Sequence, residues 1–190
     1  MLKWMIAATL AVLLGSPVLT AETTEWDVDP SHSGIYFNVR HLGIVDVHGI
    51  FGKCSGTVML DDQDVSKSTV NATVDVSSVE TGVDARDKHL ETPDFFDVMK
   101  FPALTFQSTR VWKTESGGLK MTGNLTIHGV TKEVTFDVTG PTAPITAMKA
   151  TRRGVSATAK IDRKDFGMSF DDTVGADIVI DLEIDLIKKQ

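Results

Sequence analysis

From Trp26 onward the chain alternates apolar and polar residues with a period of two, the spacing that sends successive side chains to opposite faces of a strand. In "VNATVDVS", Val70, Ala72, Val74 and Val76 share one face, and Asn71, Thr73, Asp75 and Ser77 share the other. "LKMTGNLTI" repeats the pattern with Leu119, Met121, Leu125 and Ile127, and "TKEVTFDVT" with Val134, Phe136 and Val138. "GVSATAKID" and "ADIVIDLEIDL" carry it to the end through Val155, Ala157, Ala159 and Ile161, then Ile178, Ile180, Leu182, Ile184 and Leu186. Two longer stretches precede these, "SGIYFNVRHL" and "VHGIFGKCSGTVML"; Gly49, Gly52 and Gly56 suit bulges or sharp bends in a curved sheet. Turn residues cluster at "LDDQDVSKS", "ESGG" and "HGV". The pattern predicts an all-β chain of about eight half-buried antiparallel strands. A sandwich and a closed barrel both satisfy it, and closure removes the exposed edges.

Two segments break the rhythm. In "VDARDKHLE", Asp84 is placed to cap a short helix that ends before Pro93, and "PDFFDVMKF" adds a further turn. "GPTAPITAMKA" reads as a loop. The helix is therefore expected as an insert at one end of a β scaffold.

The first 21 residues differ in kind. Lys3, the apolar run "WMIAATLAVLLG" and the small residues of "SPVLTA" form a secretory signal peptide pattern with cleavage after Ala21. The apolar run is too short for a membrane span. Residues 22–190 are then expected as one exported, periplasmic domain without a transmembrane segment. The net charge of −7, from 26 acidic and 19 basic residues, comes without a Lys/Arg cluster and argues against a nucleic-acid partner. Cys54 is the single cysteine, so no intramolecular disulfide forms, and it reads as a small packing residue.

Candidate chemistry concentrates in "DARDKHLETPDFFDVMKF", residues 84–101. His89 with Asp87 or Asp97 supplies a base and an orienting carboxylate, but no serine or cysteine stands in an activating context. Phe95, Phe96 and Phe101 favour a segment that packs over an apolar opening, held by Arg86 and the carboxylates. No histidine pair has zincin spacing and no cysteine cluster exists, so no metal is expected, although His41 and His48 lie on neighbouring strands or their turn. "DFG" at residues 165–167 lacks every other kinase element, and the "NAT" and "NLT" sequons fall in predicted strands.

Four blocks in order, "WDVDPSHSGIYFNVRHLGIVDVHGIFGKCSG", "VSSVETGVDARDKHLETPDFFDVMKFPALTFQSTRV", "MTGNLTIHGVTKEVTFDVTG" and "IDRKDFGMSF", resemble the YceI-like family of polyisoprenoid-binding periplasmic proteins. The resemblance spans essentially the whole mature chain. Its matched positions include Asp29, His32, Ser33, Phe37 and His41, then Thr81, Arg86, Asp87, His89, Phe95, Phe96 and Asp97, then Gly123, His128 and Gly129, and lastly Arg163 and Phe166. Cys54 departs from the pattern, where the family is usually larger and more often aromatic.

The resemblance implies an antiparallel eight-stranded lipocalin-like β-barrel with a short helical insert, whose apolar pore holds an isoprenoid chain or another amphiphile. It implies a carrier rather than an enzyme, with a bound polyisoprenoid, isoprenoid quinone or polyprenyl phosphate as ligand and no catalytic cofactor. On that reading Phe37, Phe51, Met59, Val74, Phe106, Met121, Phe136 and Ile180 form the wall, with Phe95, Phe96 and Phe166 near a mouth. Arg86, Asp87, His89 and Arg163 are candidates for holding a head group or anchoring the lid. Transient contact with a membrane or a homodimer stays open. The rival readings are an enzyme acting on a lipid head group or small acid through His89 and Asp87, and a stress-related interaction protein whose barrel is filled by its own side chains.

Overall fold

The structure, a computed structural model, describes residues 23–170 and 172–190, and the expected signal peptide lies outside them. Twelve strand segments and one α-helix occur among the described residues. They are β1 (Thr24–Val28), β2 (Gly34–His41), β3 (Val45–Phe51), β4 (Cys54–Leu60), β5 (Thr69–Asp75), β6 (Val79–Glu80), α1 (Asp84–Leu90), β7 (Ala103–Lys113), β8 (Leu119–Ile127), β9 (Val130–Thr139), β10 (Ile145–Ala147), β11 (Ala150–Asp162) and β12 (Val174–Lys188).

The twelve segments reduce to eight long strands. β1 and β2 both pair antiparallel with β12, at Leu186–Lys188 and at Val174–Glu183, so they are successive halves of one strand. β4 and β3 pair with those halves, and β5 and β6 pair with β4 and β3 in turn. β7, β8, β9, β11 and β12 follow, each beside its predecessor. β11 and β12 pair along their length, Arg152 to Asp162, and β12 returns to β1 and β2. The result is a closed eight-stranded antiparallel barrel with neighbours in chain order, an up-and-down arrangement that leaves the ring without an edge.

Three breaks divide the long strands, and each has a local cause. Between β1 and β2, Asp29 turns the chain by accepting the Ser31 N–H at 2.9 Å. The other two breaks lie side by side: Gly52 N–H donates to Ser78 O at 3.2 Å and Lys53 N–H to Ser78 Oγ at 3.1 Å. The stretch "VHGIFGKCSGTVML" is accordingly divided at Gly52 and Lys53 between β3 and β4. A two-residue turn with both φ values positive closes the β8–β9 hairpin at His128–Gly129, a geometry that matches strand twist, and Leu42 and Gly43 also take positive φ in the three-residue β2–β3 turn.

Two expectations are corrected. The loop "GPTAPITAMKA" contains β10, because Met148 and Lys149 also adopt positive φ and fold Ile145–Ala147 back on β11. The α1 N-cap is Val83, extended at φ −138° and with no side-chain cap; Asp84 opens the helix instead, where its charge faces the positive end of the helix dipole.

Glycines at two inward positions make room for aromatic rings. A Cβ on Gly49 would stand 2.3 Å from the Phe37 ring, and one on Gly123 would stand 2.4 Å from the Phe106 ring. The Phe37 and Phe106 rings therefore reach over a glycine of the neighbouring strand.

Candidate functional site

The barrel is not filled by its own side chains. It encloses an apolar cavity of about 270 Å³, lined from every one of the eight long strands. On β12 the wall runs from Val174 to Leu186 through Ile178, Ile180, Leu182 and Ile184. That span is roughly 40 Å of strand, or about 30 Å of axis at the usual barrel tilt. Cross-strand register explains the continuity: Cys54 stands opposite Val74 and Val74 opposite Leu104, while Phe106 faces Leu125 and Met121 faces Phe136. Polar wall residues are few, among them Ser55, Ser68 and Thr105.

The two ends differ. At one, Trp26, Leu60 and Leu186 form a tight cluster. The Arg153 guanidinium lies 5.2 Å from the Trp26 ring centroid and forks onto Asp62 at 2.6 and 3.1 Å. At the other end, the segment between β6 and β7 crosses the opening and contributes Leu90, Phe95 and Phe96 to the cavity lining. Phe96 meets Phe51 edge-on at 5.5 Å, and Phe95 meets Phe170 at 5.5 Å and His89 at 5.1 Å. Phe101 instead packs against the His128 ring at 4.7 Å and over Gly129 of the β8–β9 turn.

The lid is held by one small network. Thr81 donates its backbone N–H (2.9 Å) and its hydroxyl to the Asp87 carboxylate. The Arg86 Nε–H donates to Thr81 Oγ1 at 2.7 Å, and a second Arg86 N–H donates to Thr81 O at 2.8 Å. Arg86 and Asp87 thus anchor α1 to the end of β6. His89 pairs with Asp94 at 2.9 Å, which overturns the expected partnership with Asp87 or Asp97, since the first is occupied by Thr81 and the second by Lys100.

Of the expected wall, Phe37, Phe51, Val74, Phe106, Met121, Phe136 and Ile180 line the cavity, and Phe95 and Phe96 line it from the lid. Met59 does not. Val58 and Leu60 point inward, so alternation turns Met59 to the outer face. Phe166 does not line it either: at 1% exposure it is packed solid in the core, after which Gly167 at φ 81° ends the turn. Arg163, a candidate for holding a head group or anchoring the lid, sits in the 3-10 turn after β11. It borders the cavity, but its guanidinium donates to the carbonyls of Gly175, Met168, Phe170 and Val174, binding the loop before β12 into place. Several wall residues were not anticipated, Val28, Ile35, Val39, Leu104 and Met168 among them. Cys54 also faces the cavity, and burial pushes its thiol pKa up.

A second polar cluster sits outside the cavity, where β1 gives way to β2. His32 Nδ1 is 2.8 Å from Asp29 Oδ2, and one Arg152 N–H group bridges Asp29 at 2.8 Å and Asp185 at 2.6 Å. The His32 contact, the Ser31 N–H and Arg152 hold the Asp29 carboxyl down to about 2. Ligand atoms of Asp29, His32 and Asp185 lie within 4.8 Å of one another, but the Arg152 guanidinium already supplies the positive charge between the carboxylates. His41 and His48 do not converge: they stand opposite Val45 and Asn38 on the β2–β3 ladder.

The YceI-like domain pattern matches residues 26–186. Protein YceI of Salmonella arizonae is 38% identical over 174 residues, 90% of each chain. The crystal structure of the Campylobacter jejuni YCEI protein is 30% identical with a TM-score of 0.68, covering 80% of this chain and 90% of that one. A polyisoprenoid-binding domain from Saccharophagus degradans shares the fold at 15% identity, with a TM-score of 0.65 over 88% of this chain and all of that one.

Proposed function

The chain belongs to the YceI-like family, and from that premise we propose that it binds and carries a polyisoprenoid or related amphiphilic lipid, acting after export in the periplasm. The carrying observation is the apolar cavity, which extends along the barrel and is covered at one end by the Leu90–Phe96 segment. A slender prenyl tail suits a long, narrow, apolar space with few polar groups. Isoprenoid quinones and polyprenyl phosphates share such a tail. The family kinship and the polyisoprenoid-binding protein of like fold support this class of ligand. No helix among the described residues is long and apolar enough to cross a membrane.

The role is binding rather than catalysis. The His89–Asp94 pair lies at the exposed side of the lid, and Asp87 is committed to Thr81. The test is uptake by delipidated protein of isoprenoid alcohols and quinones of graded tail length. Affinity is expected to rise with each added isoprene unit, because each buries further apolar surface, and then to level off when the cavity is full. Affinity that ignores tail length, or no uptake at all, would overturn the proposal.

A further inference from the structure

We infer that the lid end of the barrel docks on a zwitterionic lipid bilayer, an inference that rests on the lipid-binding reading of the cavity. The β2–β3 hairpin ends in a tight turn at Leu42 and Gly43, and presents Leu42, Ile44 and Val45 at 56%, 76% and 51% exposure. No charged residue stands between Arg40 and Asp46, and those two pair with each other at 3.2 Å. The tip is joined to the cavity's cover. Leu42 N–H donates to Thr173 O at 2.7 Å, and the loop leading to Thr173 carries Phe170, itself exposed. The Phe170 ring meets His89 and Phe95 of the lid at 5.5 Å each, and Phe95 lines the cavity. Val83 and Met99, at either side of the lid, are exposed as well.

The charge at this end selects the occupant. Residues 81–101 carry five carboxylates and three cations, which disfavours a polyanionic partner or a strongly anionic bilayer and suits the ammonium groups of zwitterionic lipids. A tip of three aliphatic side chains inserts to shallow depth and gives weak, reversible attachment, as a carrier that must leave again requires. A prenyl tail passing from the bilayer beneath Phe95 and Phe170 would then avoid crossing bulk water.

The experiment is flotation of the mature protein with vesicles of phosphatidylcholine and phosphatidylethanolamine. The protein is expected to float, with little change on raising salt. Ile44→Asp is expected to weaken attachment roughly tenfold, and Leu42→Ser to weaken it less; both are expected to keep the wild-type circular dichroism spectrum. Met148→Asp, on the β10–β11 turn at the opposite end, is the control and is expected to float as before. Wild-type protein that stays in solution overturns the inference. So does an equal loss in Met148→Asp, or a dimer that Ile44→Asp dissociates without any effect on flotation. Prenyl-lipid content is measured on the same samples: a chain that holds lipid yet does not float refutes docking alone, and one that floats through Ile44 yet takes up no lipid refutes the cavity reading alone.

Discussion

Asp29 shows how a single carboxylate joins the two halves of a strand. Its backbone N–H donates to Asp185 O at 2.8 Å while its side chain receives Ser31, His32 and Arg152. These contacts favour the charged form and lower its pKa from 3.8 to about 2. A folded-state pKa below the unfolded value stabilises the barrel above about pH 4, and this contribution is lost as pH falls from 3.8 towards 2. Asp29→Asn should therefore cost about 1–2 kcal/mol at pH 7, allowing for solvent screening. It should also flatten the acid limb of stability, read from urea midpoints at pH 7, 5, 3 and 2.5. Gly123 makes a steric case: with Phe106 and the Gln107 carbonyl closer than any Cβ tolerates, Gly123→Ala should cost about 1–3 kcal/mol in the same assay. At this scale the sequence was legible where one face was clearly apolar, as in Ile178 to Leu186. It was not where three apolar residues ran together in Val58, Met59 and Leu60, because the phase there is set by the β4–β5 register, in which Cys54 faces Val74. Nor does an arginine's position reveal that the Arg163 guanidinium meets the carbonyls of Gly175, Met168, Phe170 and Val174.

Among the elements, α1 and the residues that follow it cover one end of the cavity. α1 has no fully buried residue and no side-chain cap, so its position depends on the Thr81 network at one end and on Phe95 and Phe96 at the other. Thr81→Val removes the hydroxyl from both Asp87 and Arg86. Amide hydrogen exchange over residues 84–98 should then speed up roughly tenfold, and bound lipid should dissociate faster, while global stability changes little. Unchanged exchange would place the restraint in the phenylalanines alone. The helix was legible from the departure of residues 84–90 from period two and from Pro93 beyond them. The strand breaks were less so. The alternation from Val70 to Val76 runs on past Asp75, where β5 ends and a short 3-10 turn begins, because the break is made by Ser78 pairing with residues 25 and more positions away.

For the whole molecule, closure joins the first long strand to the last, and the cavity lies within that ring. Eight strands were legible because each carries its own alternation and turn. The closure itself was not: it depends on Ile180 standing opposite Phe37, a pairing remote in sequence, and a barrel rather than a sandwich was implied only by the family resemblance. Ala157 and Ala159, both buried, keep the wall of β11 low beside Leu182 and Ile180. Ala157→Phe should project a ring into the cavity and abolish uptake of long prenyl chains while leaving a folded barrel, at a stability cost of about 1–3 kcal/mol. The most direct test of the lipid-carrier account is native mass spectrometry of the mature protein purified without detergent. The account predicts a population heavier by the mass of one prenyl lipid, stripped on collisional activation and missing from Ala157→Phe; a bare polypeptide mass alone, persisting after incubation with prenyl lipids, would contradict it.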